Sequence, residues 1–268
     1  MQSENIINYL IFSPNRPDQL LDIFVVMGYI EKNGHHFTTG LDGQPDCLVL
    51  TGNDLMAEVD YIINNAVSGI YLNQFDSKCI KDLSFLESIS FIEKVNIANL
   101  ALGYSSLIEL SNLKVAITSV NRKDQRFDYS KLDNLEILST DWYPGFPVLL
   151  GNSSLRELYL WKYKPRTQNF EGLNIPANLV VLHILKSDIR QTLGLTSGRV
   201  RNLQLHDCSK LESLNDLPTS IESLVCVNCK ALESYVDLEN LINLKTLSLH
   251  NCGDIPNLTF LSSILCSG

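Results

Sequence analysis

Val200-Arg201-Asn202-Leu203-Gln204-Leu205-His206-Asp207-Cys208-Ser209-Lys210-Leu211-Glu212-Ser213-Leu214 carries the pattern that decides the fold. Its opening reads L-x-x-L-x-L-x-x-C/N, with any apolar residue accepted at the leucine positions. The other copies are Val67-Ile70-Leu72-Phe75, Ile92-Val95-Ile97-Leu100, Leu113-Ala116-Thr118-Asn121, Leu135-Leu138-Thr140-Tyr143 and Leu155-Leu158-Leu160-Tyr163. Leu179-Leu182-Ile184-Ser187, Ile221-Leu224-Cys226-Cys229 and Leu244-Leu247-Leu249-Cys252 complete the series. Successive copies begin 25, 21, 22, 20, 24, 21, 21 and 23 residues apart, within or beside the ~20–29 residue period of leucine-type repeats. A series of this length is not chance. Within each copy the second and third template positions alternate with their neighbours, the mark of a short strand with one buried face. The first and fourth positions are expected to turn inward at the strand's flanks. Leu83, Leu86, Leu107, Leu110, Leu211, Leu214, Leu217, Leu238 and Leu241 follow the strands and suit return segments packed against the sheet. One repeat cannot bury its own apolar face, so stability must come from stacking. The copies at 113 and 135 are the poorest, with Ala116, Thr118 and Thr140 inside and a charged loop over residues 121–131.

Cys208-Ser209-Lys210-Leu211, Cys229-Lys230-Ala231-Leu232 and Leu217-Pro218-Thr219-Ser220-Ile221 resemble the leucine-rich repeat superfamily, in the form seen in plant resistance receptors and bacterial effectors. The resemblance covers about two thirds of the chain. It implies an α/β solenoid, a curved horseshoe with a parallel sheet on its concave side. It implies little about activity, because the repeat is a scaffold and function sits in surfaces grafted onto it.

The solenoid is assigned to residues 67–268, and residues 1–66 to an acidic α+β capping unit, since solenoids need atypical ends to cover the open core. Residues 18–27 have helical spacing before Gly28. Lys32-Asn33-Gly34-His35 reads as a hairpin turn between Tyr29-Ile30-Glu31 and His36-Phe37-Thr38, because Asn-Gly is the strongest short turn signal. Cys47-Leu48-Val49-Leu50 reads as a strand. Asp54 then caps a helix to about Asn64, with Leu55, Val59, Ile62 and Ile63 inside.

The chain has 268 residues, 45 % of them apolar, and a net charge of −9. That composition is ample for a continuous core and unlike a disordered chain. Residues 1–66 hold nine acids against Arg16 and Lys32, while the remainder balances 19 cations with 21 acids. No basic stripe exists for nucleic acid, no apolar run approaches ~20 residues, and Glu4 stands where a secretory signal needs cations. Seven scattered cysteines fit reduced thiols better than a disulfide frame. Cys208, Cys229 and Cys252 share one template position and should form a buried column. Cys226 and Cys229 form a Cys-x-x-Cys, but both are core positions, so no metal site is expected there or at His35-His36. No phosphate loop, nucleophile elbow or zinc-protease motif occurs.

Pleating sends the residues two, four and six after each repeat start to the concave solvent side. At mid-arc this exposes Asp141, Tyr159, Trp161, His183, Leu185 and His206, with Trp142, Lys162, Lys186 and Asp207 at the rim. Asp141, Trp142, Tyr159, Trp161, His183, Leu185 and His206 are the expected partner site, since exposed aromatic clusters mark interfaces. Asp54, Glu58 and Asp60 form a second, acidic candidate surface. The expected function is a non-enzymatic protein-protein interaction module, monomeric and cytoplasmic, with no cofactor, nucleic acid or membrane partner. Its specific form is an immunity protein neutralising a bacterial toxin, with a basic toxin domain drawn to the acidic unit. The alternatives are a secreted bacterial effector binding a host protein, and an enzyme with a concave-face site around Asp141, His183 and His206.

Overall fold

The computed structural model describes residues 9–10, 24–25, 28–40, 44–146, 149, 152–195 and 199–255. Each of the nine template copies becomes one strand: β6 (Gly69–Asn73), β7 (Lys94–Ala98), β8 (Val115–Thr118), β9 (Ile137–Asp141), β10 (Glu157–Trp161), β11 (Val181–Leu185), β12 (Asn202–His206), β13 (Ser223–Val227) and β14 (Thr246–His250). They pair in parallel and in template register, so that Leu158, Leu182, Leu203, Leu224 and Leu247 lie opposite one another. The sheet is open and continues through the N-terminal unit. There β3 (Tyr29–Lys32) and β4 (His35–Thr39) form the expected hairpin, and β5 (Pro45–Val49) pairs antiparallel with β4 and parallel with β6. Asn33 and Gly34 take φ of 53° and 78°, as a two-residue hairpin turn requires. Helix α1 (Leu55–Asn64) starts at Asp54, whose carboxylate accepts the Ala57 N–H.

Two expectations for this unit are corrected. Phe24–Val25 pairs antiparallel with Tyr9–Leu10 as a short ladder instead of continuing a helix, and the rest of residues 18–27 up to 27 lies outside the described residues. Ile63 is exposed, because α1 buries the face carrying Val59 and Ile62.

Strand-interior residues Leu158, Leu160, Leu182, Ile184, Leu203, Leu205 and Leu224 and the return residues Leu211 and Leu238 are essentially inaccessible. Each such side chain contributes about 1.5–3 kcal/mol through burial. Several return segments are short 3-10 turns, such as Ser84–Ile89 and Val236–Asn240, and others carry side-chain clips onto the preceding repeat. Asn134, Asn178 and Asn243 each donate to a carbonyl there.

Where the template is weak, polar groups pair inside. Thr118 donates to Thr140 at 2.9 Å, and the Tyr129 hydroxyl lies 2.7 Å from Thr118 and 3.2 Å from Thr140, all three buried. The charged loop is two 3-10 turns, Lys123–Gln125 and Tyr129–Lys131. Buried Gln125 accepts from Asn121 and Arg122 N–H and donates to the Leu100 carbonyl. Phe75, expected inside, is exposed. Asn73 Oδ1 accepts the N–H groups of Phe75 and Asp76, which turns the chain early, and buried Ser77 takes the inward place by donating to Leu50 O at 2.5 Å.

The fourth-position column continues with Ser187, Cys208 and Cys229, all buried, while Cys252, expected to be buried with them, is only partly buried beside the outermost strand. Ser187 donates to Tyr163 O and Cys229 to Leu205 O, both backbone carbonyls of the preceding repeat. A hydrogen bond with Cys229, reinforced by burial, pushes the Cys226 thiol up. Among the described residues no three His, Cys, Asp or Glu side chains are grouped to hold a metal ion, and no helix is long and apolar enough to cross a membrane.

One residue before each strand, the backbone runs a second ladder. Lys114 N–H donates to Glu93 O, Glu136 to Lys114, Arg156 to Glu136, Val180 to Arg156, Arg201 to Val180, Glu222 to Arg201 and Lys245 to Glu222. The side chains at these rungs alternate in sign apart from Val180. Ion pairs join Lys114 to Glu93 at 2.8 Å, Arg201 to Glu222 at 3.5 Å and Lys245 to Glu222 at 2.8 Å. This edge of the sheet neutralises itself.

Candidate functional site

The concave face of β6–β14 carries few charges. By pleat position only Lys94, Asp141 and Glu157 point outward as full charges, and each is engaged. Lys94 pairs with Asp46 at 2.5 Å, Asp141 with Lys162 at 3.0 Å, and Glu157 accepts the Tyr159 hydroxyl at 2.7 Å. Between them lie Ile117, Ile137, Val181, Leu185, Val225 and Val227.

At mid-arc the parallel register sets Tyr159 beside His183 and Gln204, and Trp161 beside Leu185 and His206. Neighbouring strands stand about 4.8 Å apart, so large rings in one row cover each other. The Tyr159 and His183 ring centres are 5.7 Å apart, and His183 and His206 4.5 Å. Tyr159, His183 and Leu185 therefore face the concave side yet are buried, at 9 %, 0 % and 2 % exposure. Solvent access, expected for all three, is corrected by this packing. Burial, reinforced by nearby His206, holds His183 well below the usual imidazole range. Burial likewise raises the Tyr159 phenol, with Glu157 adding to the effect.

The two tryptophans part company. Trp142 packs partly buried against the core, edge-on to Tyr163 at 5.8 Å, so its expected place outside is corrected. Trp161 stays half-buried on the surface with the Lys186 ammonium 6.0 Å above its ring. Asp141 is also largely buried, held by the Val120 N–H at 2.9 Å and by Lys162. In register it lies three strands from His206, roughly 14 Å at ordinary sheet spacing. Asp141, His183 and His206 thus form no proton relay.

Of the acidic candidates, Asp60 alone points freely to solvent. Asp54 caps α1, and Glu58 is buried, accepting Thr51 N–H, Thr51 hydroxyl and Gly52 N–H. Glu58 holds the strand-to-helix turn and offers no docking charge.

The rim at the strand ends was underread in the sequence. Asn99, Lys162, Lys186, Asp207, Asn228 and Asn251 each follow a strand with φ between 50° and 58°. Lys162, Lys186, Asp207 and Asn228 donate their N–H to the last carbonyl of the next strand. Asn and Asp suit that left-handed conformation, whereas Lys does not. Two lysines at adjacent repeats in an Asn/Asp column were the available signal.

No protein-family model matches the sequence, and no curated protein matches it. Among solved structures the chain is similar to the leucine-rich repeat domain of the type III effector XopL, at 16 % identity and a TM-score of 0.42, over 74 % of this chain and 66 % of that one. It is also similar to the functional domain of InlJ from Listeria monocytogenes, at 13 % identity and a TM-score of 0.37, over 73 % of this chain and 59 % of that one. The chain thus spans just under two thirds of the XopL structure it matches. Likeness at this level adds nothing on partners or activity.

Proposed function

We propose that this leucine-rich repeat solenoid is a non-enzymatic protein-binding module whose partner docks on the concave face across β9–β12, centred on Trp161. One observation carries the reading: Trp161 lies outside the core and partly exposed, on a nearly uncharged face whose few charges are already paired. Covering such a face costs little desolvation of ions, and an aromatic anchor at its middle supplies the energy. Tyr159, His183 and Leu185 form the rigid floor beneath the anchor and need no ordering on binding. The six described cysteines are all free, which supports a reducing, cytoplasmic setting.

The test is partner capture from the native source, followed by affinity measurement with Trp161→Ala. The expected loss is about 2 kcal/mol, roughly thirty-fold, with unchanged folding. Normal binding by that variant would remove the concave-face reading. A second reading, an immunity protein whose basic toxin partner docks on the N-terminal unit, is favoured by exposed Glu31 and Asp60 and the charge of residues 1–66. It predicts that Trp161→Ala does nothing and that Asp60→Asn slows association at low salt. A toxin gene adjacent to this one, and rescue of cells expressing it, are the observations it requires.

A further inference from the structure

The rim beside Trp161 carries a cation group that no activity discussed above uses. Lys162, Lys164 and Arg166 follow β10 and are exposed, as is Lys186 after β11. The return segments carrying them are stacked by backbone bonds, with Asp188 N–H donating to Tyr163 O at 3.2 Å and Arg190 N–H to Gln168 O at 2.7 Å. Three nearby acids are already paired with cations, Asp141 with Lys162, Asp188 with Lys210 at 3.2 Å and Glu212 with Arg190 at 2.6 Å, and exposed Asp207 beside Lys186 accepts the Asn228 amide. Among the described residues Lys164, Arg166 and Lys186 have no ion-pair partner. A second observation is independent of charge. Lys162 and Lys186 hold left-handed backbone positions, φ 57° and 56°, that the three following repeats fill with Asp207, Asn228 and Asn251. A residue that defies its local backbone preference, twice in adjacent repeats, belongs to a working surface more often than to a scaffold.

We propose that the rim of β10 and β11 binds an acidic polypeptide segment, which places an apolar side chain against Trp161 and its carboxylates over Lys164, Arg166 and Lys186. This rests on the concave-face reading and names the chemistry of its partner. Charge complementarity is the ground: a cationic patch in a chain of net charge −9 attracts an acidic segment locally while the rest of the surface repels it. Alternating carboxylates and apolar side chains match the layout, because the cations lie at the rim and the apolar residues on the adjoining sheet. Nucleic acid fits less well, since the phosphate-facing surface would be this rim alone.

The experiment measures tryptophan fluorescence and calorimetry on the full chain with three probes. One is a synthetic peptide, Glu-Glu-Leu-Phe-Glu-Asp-Leu-Glu, another the same peptide with lysine for every acid, and the third a single-stranded oligonucleotide; vesicles containing phosphatidylserine serve as a membrane arm. The acidic peptide is expected to bind, about tenfold more weakly when salt rises from low to high ionic strength. The variant Lys164→Glu, Arg166→Glu, Lys186→Glu, checked for unchanged circular dichroism, should lose at least about tenfold in affinity for it and gain affinity for the lysine peptide. Equal binding of both peptides, no binding of the acidic one, or tighter binding of the oligonucleotide or vesicles would overturn the proposal. If Trp161→Ala abolishes capture of the native partner while the charge-reversed variant binds it normally, the acidic-segment proposal fails and the concave-face reading stands.

Discussion

Changing Tyr129 to Phe removes one oxygen atom from the buried Thr118–Tyr129–Thr140 group and leaves the ring in place. Thr118 and Thr140 keep their mutual bond at 2.9 Å, while the contacts to the phenol at 2.7 and 3.2 Å are lost. The two threonines are 5 % and 0 % exposed, so water does not replace the phenol. Two hydrogen bonds at about 1 kcal/mol each, one of them long, put the cost at roughly 1–2 kcal/mol. For a chain of this size that lowers Tm by roughly 2–8 °C. Thermal unfolding followed by circular dichroism reads it. The companion variant Tyr129→Phe, Thr118→Val, Thr140→Val strips all three polar groups, and most of the loss should return, because matched apolar replacements leave nothing unsatisfied. An unchanged Tm for Tyr129→Phe, or a triple variant far less stable than the single one, would refute the account of these weak repeats.

Leu203→Asp places a charge at a position with 0 % exposure between stacked strands; a loss of several kcal/mol and of cooperative melting is expected, and unchanged melting would sink the strand register. Acid should weaken the fold from about pH 6.5 downward, before most carboxylates titrate. His183 is held low in the folded state by burial and by His206, so the unfolded chain takes up the proton first, and stability present above pH ~6.5 is lost as pH falls. Tm measured between pH 8 and 5.5 should slope downward in the native chain and flatten in His183→Phe.

The repeat strands were legible because alternation over six residues, return leucines and a near-constant spacing coincide in the strongest copies and carry the weak ones at 113 and 135 with them. The site was legible only in direction. Pleat geometry correctly sent Tyr159, His183 and Leu185 to the concave side, but their burial depends on which residues stand beside them on adjacent strands, some 20 residues away. Tyr129 filling the space over two threonines, and Ser77 taking the place meant for Phe75, are contacts between residues whose local sequence gives no hint of the need they meet. Glu58 is the same lesson reversed. An acid on a helix reads as surface charge until the turn whose N–H groups it collects is known.

The alternating ladder along the strand-start edge gives this chain a parity. Removing a single repeat, from Lys114 to Leu135, would set Glu93 against Glu136; removing two would set Glu93 against Arg156 and keep opposite signs at the new junction. Val180 respects the same rule, since it stands uncharged between Arg156 and Arg201 at the rung where an acid would fall. The mismatch falls at the one new junction and is worth only a few tenths of a kcal/mol. Even steps in repeat number preserve the pattern, and odd ones break it.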